Sequence, residues 1–214
     1  MDTASRARQL LSEIHDQSTQ LGDLRKMAAT IKKDHTLAEM LWASERFLPR
    51  QLAILIMDKK QLNLTKISFL TKDMYAHPDA EKLALMDWFM AHQLMKDRQT
   101  IALIDSWHHN PEALFRRTFW YYQSRLRWVG QQPPDNTKQL LDWIEESIEE
   151  EMPEVQWAMN FAAAQIGIFD EKYRKRCIAI GENTGLYKNE VVAKNCTPNY
   201  LPLFISSQLA KQKR

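Results

Sequence analysis

Apolar residues recur every three or four positions along most of this 214-residue chain. That spacing gathers them on one side of an α-helix, whereas a half-buried strand would alternate them every second residue. The pattern predicts helices over 3–20, 23–34, 36–44, 49–58, 64–75, 79–96, 98–108, 111–128, 137–151, 153–167, 171–184 and 200–211. Pro49, Pro111 and Pro153 stand where a first helical turn accepts a proline, since the missing N–H has no partner there anyway. Thr65, Thr137 and Asp170 are candidate N-caps, and "GQQPPDN" (130–136) reads as a loop.

From residue 36 onward the helices fall into pairs. The second helices of four pairs start near 49, 79, 111 and 153, an uneven spacing that fits degenerate HEAT-like repeats. Each pair would bury one face against the next, giving an all-α fold of HEAT-like helical pairs stacked into a curved superhelix. One domain over 1–214 is expected. The competing architecture is a helical bundle without a binding face.

Composition sharpens this picture. The chain has only 5 Gly and 8 Pro but is 44% hydrophobic, enough for a core and too few turn residues for a fold of short strands. Net charge is +2, which does not by itself mark a nucleic-acid binder. The charges are segregated, however: "EESIEEE" (145–151) is acidic, while "KYRKR" (172–176) and "KQKR" (211–214) are basic. Two cysteines, Cys177 and Cys196, make neither a disulfide framework nor a metal cluster. The first 30 residues hold no apolar signal core, and no apolar run is long enough to span a bilayer. A cytoplasmic protein with no membrane association is expected.

One stretch carries unusual chemistry. In "FRRTFWYYQSRLRW" (115–128), Phe115, Phe119, Tyr122 and Leu126 form an apolar stripe that can bury. At about 100° per residue, Arg116, Trp120 and Arg127 share a second strip, and Arg117, Tyr121 and Trp128 a third. Guanidinium groups alternating with aromatic faces suit phosphates and stacked rings. A DNA-binding role needs Trp120 partly exposed while Phe119 and Tyr122 are buried. The structural alternative packs Trp120 and Trp128 on neighbouring helices and pairs the arginines with glutamates.

No GxGxxG, P-loop, CxxC pair, HExxH or GxSxG motif is present. His108 and His109 diverge on a helix, and His15, His35 and His77 have no ligand partner at helical spacing, so neither a metal nor a cofactor is expected. On the 79–96 helix, Trp88 and His92 share one face at i and i+4, with Asp87 turned about 100° away. An indole beside a titratable group can hold a flat cation. The alternative is a core tryptophan with a histidine that caps a neighbouring carbonyl.

Several segments resemble the AlkD-like DNA alkylation repair proteins. "LRKMAATIKKDHTLAEMLWASERFLPRQLAILIMD" (24–58) is similar to their opening, with its Lys-Lys-Asp-His turn, Leu-Trp-Ala and Arg-x-Leu-Ala helix. "DWFMAHQL" (87–94) falls at their tryptophan-to-aspartate helix, and "FRRTFWYYQSRL" (115–126) resembles the arginine-rich helix that follows. Residues 153–205 resemble the C-terminal portion of one branch, including Gly-Leu-Tyr (185–187) and Cys-Thr-Pro (196–198). The resemblance runs from about residue 22 onward. It implies a HEAT-like superhelix with a concave basic groove for duplex DNA. It also implies excision of positively charged 3- or 7-alkylpurines, with tryptophans against the deoxyribose and an aspartate favouring the developing positive charge on the sugar.

The resemblance assigns Trp88 to the family tryptophan and Arg117 to a DNA-contacting arginine. Phe161 answers a later tryptophan, with Trp157 one turn earlier. His92 stands where the carboxylate belongs, and Asp87 could replace it only from the adjacent position. The expected site is therefore Asp87, Trp88 and His92 for chemistry, with Arg116, Arg117, Trp120, Tyr121, Arg127, Trp157 and Phe161 for DNA. The expected partner is duplex DNA, alkylated or not, bound by a monomer whose glycosylase activity is weak or lost. A non-catalytic DNA-binding relative and a HEAT-like scaffold for a protein or peptide are the alternatives.

Overall fold

In the computed structural model, which describes residues 2–194 and 196–212, the helical pattern is realised almost element for element. The helices are α1 (Thr3–Glu13), α2 (Leu21–Ile31), α3 (His35–Trp42), α4 (Phe47–Ile56), α5 (Leu64–Met74), α6 (Asp79–His92), α7 (Arg98–Asp105), α8 (Ala113–Trp128), α9 (Thr137–Ser147), α10 (Pro153–Phe169), α11 (Glu171–Thr184) and α12 (Leu201–Gln212). No strand occurs among the described residues. Lys213 and Arg214 of the basic C-terminal run lie outside them.

Helix ends follow local chemistry. Asp34 accepts from the Leu37 amide at the start of α3, Asn63 from Lys66 at α5, and Asp170 from Lys172 at α11. Asn63 thus caps α5 where Thr65 was expected, and Thr137 is the first residue of α9 rather than its cap. Pro153 opens α10, Pro49 sits in the first turn of α4, and Pro111 lies just before α8. Gly185 ends α11 with φ 64°, the left-handed conformation that favours glycine.

Two expected helices are shorter than their apolar spacing. The 3–20 segment stops at Glu13 because Ile14 turns extended and is fully buried. Arg46 then takes the orphaned carbonyls of Leu11 and Ile14 at 2.8 and 2.6 Å. The 79–96 segment stops at His92. The next residue, Gln93, is buried and donates to the Ile54 and Met57 carbonyls at the end of α4. Both breaks are long-range events that local periodicity cannot report.

The chain packs as two compact units, the first ending at Leu103 and the second starting at Ile104. In the first, α4 is central and packs on α2, α3 and α6. Its buried Arg50 donates to the carbonyls of Trp42 and Asp73 and to His77 Nε2, and lies over the Trp42 ring. The Trp42 indole N–H donates to Asp73, and His77 Nδ1 meets Glu81 at 2.7 Å. Because Arg50 can only donate, His77 Nε2 accepts and Nδ1 carries the proton. A buried guanidinium is tolerated only when so fully engaged.

In the second unit α10 is central, packing on α8, α9, α11 and α12. Ala158, Ala162, Ala163, Ala164 and Gly167 let its neighbours approach closely. A Cβ at Gly167 would stand 2.5 Å from Ile205, and one at Gly181 of α11 would stand 2.6 Å from Leu201.

Candidate nucleic-acid interface

Helix α8 carries the arginine strips, and its neighbours decide which of them meets solvent. The expected core stripe is buried at Phe119, Tyr122 and Leu126. The second strip is corrected. Trp120 is only 3% exposed and packs against Phe119 and Trp143, at ring distances of 5.1 and 6.5 Å. Arg127 is 5% exposed and donates to the Gln123 carbonyl and Thr137 Oγ1 at 2.9 and 3.0 Å. Burial holds its guanidinium below the usual arginine range. Arg116 makes a two-pronged pair with Glu151 at 2.9 and 2.8 Å and donates to the Asn110 and Pro111 carbonyls. That pairing pushes its pKa up further. These residues are structural because α8 is covered on two sides, by α10 and by Trp143 of α9, instead of one.

The third strip builds an aromatic ladder with α10. Arg117 lies 5.4 Å over the Tyr121 ring and 5.5 Å over Trp157. Trp157 and Phe161, one helical turn apart, stack at 5.3 Å and 11°. Tyr121 is nearly parallel to Phe161 at 6.0 Å and 24°. Trp128 meets the same Phe161 edge-on at 6.4 Å and is 52% exposed. Arg125 lies 5.6 Å over Trp128 and makes no hydrogen bond or ion pair among the described residues. Arg117, Tyr121, Trp157 and Phe161 are brought together, but the expected DNA contact at Arg117 is corrected: it is only 4% exposed, as buried as Trp120 and Arg127, and its guanidinium packs against the ladder's rings. Arg125 joins them unannounced, although its i, i+3 spacing to Trp128 was there to be read.

The first unit holds a smaller arrangement of the same kind. Trp88 is half-buried on α6, and its indole N–H donates to the Gln51 carbonyl at 3.1 Å, which fixes the ring. His92 lies beside it at 4.2 Å, its ring tilted by 52°, on the face that the i, i+4 spacing predicts. The exposed Arg25 of α2 lies 5.0 Å over the indole and has no hydrogen bond or ion pair among the described residues. Asp87 is half-buried on the neighbouring position of α6. Arg25 is 63 positions from Trp88, so only the tertiary fold could reveal it.

The remaining candidates for chemistry are quiet. Cys177 is buried, and desolvation pushes its thiol to about 12, so it stays protonated. His108 stacks on Trp143 at 4.5 Å, and burial holds its pKa below the usual histidine value. In the basic run, Arg174 donates to the Gly167 carbonyl, and Arg176 pairs with Asp142 and Glu145. Among the described residues, no group of three His, Cys, Asp or Glu is placed to hold a metal. No described helix is long and apolar enough to cross a membrane.

Comparison with known proteins gives these patches a context. The fold matches a solved structure with a TM-score of 0.71 and 18% identity, over 97% of this chain and 89% of that one. The matched structure is described as representing a new family of proteins related to the HEAT-like repeat DNA glycosylases, with affinity for branched DNA structures. The all-α, HEAT-like fold expected from the helical pairs is thereby shown. A search among curated proteins finds no match. A family model described as "DNA alkylation repair enzyme" matches residues 18–188, which is most of the sequence. The chain belongs to the DNA alkylation repair enzyme family.

Proposed function

We propose that this protein binds duplex DNA through arginine–aromatic patches, and that it excises alkylated bases weakly or not at all. The observation that carries the reading is the same in both units: an arginine without a carboxylate partner lies on a half-exposed tryptophan. Arg25 does so on Trp88, and Arg125 on Trp128. An arginine already paired, as Arg116 is with Glu151, must give up that pair to meet a phosphate. One without a carboxylate has no ion pair to break, and the indole beneath it favours the cation and limits where it can go. Phosphate contacts of this kind carry little sequence information, so binding should be sequence-tolerant.

The environment of Trp88 argues against efficient excision. Departure of an alkylated purine leaves positive charge on the sugar, which a nearby carboxylate favours. The ring partners of Trp88 are instead a guanidinium and an imidazole. Asp87 lies about 100° round the helix from Trp88, and the indole is tied to Gln51, so both cannot turn to one point without breaking that bond. Single-turnover release of 7-methylguanine or 3-methyladenine from methylated duplex tests this. The expected result is DNA binding with negligible release in the wild type, and a measurable gain in His92→Asp. Robust wild-type release that survives Asp87→Asn would contradict it. Because the matched structure belongs to proteins with affinity for branched DNA, a four-way junction belongs beside the linear duplex in the same assay.

A further inference from the structure

Beside the aromatic ladder, and sharing Trp128 and Phe161 with it, the second unit holds an open cleft of about 340 Å³. Its walls are Trp128, Phe161, Phe169 and Phe204, and its polar lining comes from glutamines, chiefly Gln165 and Gln208. Trp128 and Phe204 both stand edge-on to Phe161, at 82° and 71°, so three rings meet at steep angles round one space. Trp128 and Phe169 are 52% and 50% exposed, unusually open for large rings. Gln165 is the telling residue. It is only 6% exposed, yet its carboxamide makes no hydrogen bond among the described residues, although it lines the cleft. The rest of the side chain is packed, so the amide offers its donor and acceptor to the cleft, where a ligand that supplies both replaces the water that otherwise meets them.

We propose that this cleft takes an unpaired purine, displaced from a DNA strand held on the adjoining ladder. Open aromatic faces stack on any base. A glutamine amide matches the paired donor and acceptor along an adenine edge. Arg125 lies over Trp128 and is placed for the phosphate next to such a base. The lining carries no charged side chain, whereas its rings and amides are the groups that stack on and hydrogen-bond a base. Phe161 belongs to both ladder and cleft, so a strand on the first leads into the second.

This inference rests on the DNA-binding reading, and its test separates the two. Three duplexes of one sequence are compared by fluorescence anisotropy: fully paired, with a single adenine bulge, and with an abasic bulge at the same place. The adenine bulge should bind about tenfold more tightly than the abasic one. Trp128→Ala should abolish that preference. Gln165→Leu, nearly equal in volume, should reduce it while leaving fully paired binding unchanged. A 2-aminopurine bulge should lose fluorescence on binding, and this quenching should disappear in Trp128→Ala. Equal binding of all three duplexes without quenching overturns the cleft and leaves duplex binding standing. Absence of binding to every duplex overturns both. Circular dichroism of each variant shows whether the helices are intact, so that a loss of preference is read at the cleft.

Discussion

An arginine's role here is set by what its guanidinium already holds. Arg116 and Arg127 hold Glu151, carbonyls and Thr137, whereas Arg125 on the same helix has no hydrogen bond or ion pair among the described residues. Arg25→Ala and Arg125→Ala should each lower the slope of log affinity against log salt by about 0.9, the share of one phosphate contact. Arg116→Ala should leave that slope alone and lower the denaturation midpoint, because Glu151 loses its partner. Tryptophans divide in the same way. Trp120→Ala should cost about 3–5 kcal/mol of stability in a denaturant titration, with binding per folded molecule unchanged. Trp128→Ala should cost less than about 0.5 kcal/mol. Helical spacing put these residues on their strips correctly. It could not say that α8 has two covered sides, which is why Trp120 and Arg127 were expected at a surface and lie in the core.

At the scale of elements, close approach rather than periodicity limits the second unit. Gly181 faces Leu201 and Pro202 of α12, where an added Cβ would stand 2.6 and 2.7 Å away. Gly181→Ala should therefore destabilise by roughly 1–3 kcal/mol, although alanine is the better helix former. The turn before α8 adds a pH dependence. His108 has a folded pKa held below 6.5, by burial first and then by the nearby His109. The unfolded chain thus takes up this proton more readily. The stability linked to His108 is complete above pH 6.5 and falls as the pH drops below it. Thermal unfolding between pH 7.5 and 5.5 should show this loss, and His108→Phe, which keeps a ring against Trp143, should flatten it. Element positions were legible because buried faces recur at 3.6 residues, as in α3 with Leu37, Ala38 and Leu41. The ends of α1 and α6 were not legible, since Arg46 and Gln93 act on carbonyls far away in sequence.

For the whole molecule, the sequence carried its class and family in well-spread features: few glycines, paired helices and the segments around Trp88 and Arg117. The interface was only half legible. The stacking of Trp157 on Phe161 follows from spacing on one helix, whereas Tyr121 meets them only once α8 packs on α10, and the partnership of Arg25 with Trp88 likewise needs the tertiary fold. The central claim is that arginines freed from carboxylates, and held on tryptophans, bind DNA phosphates in both units. The most direct measurement is the affinity for a short labelled duplex across a salt series, for the wild type and for the Arg25→Ala, Arg125→Ala double variant. The account predicts a steep, sequence-tolerant linear dependence whose slope falls by about 2 in the double variant. No binding at low salt, or an unchanged slope in the variant, would contradict it.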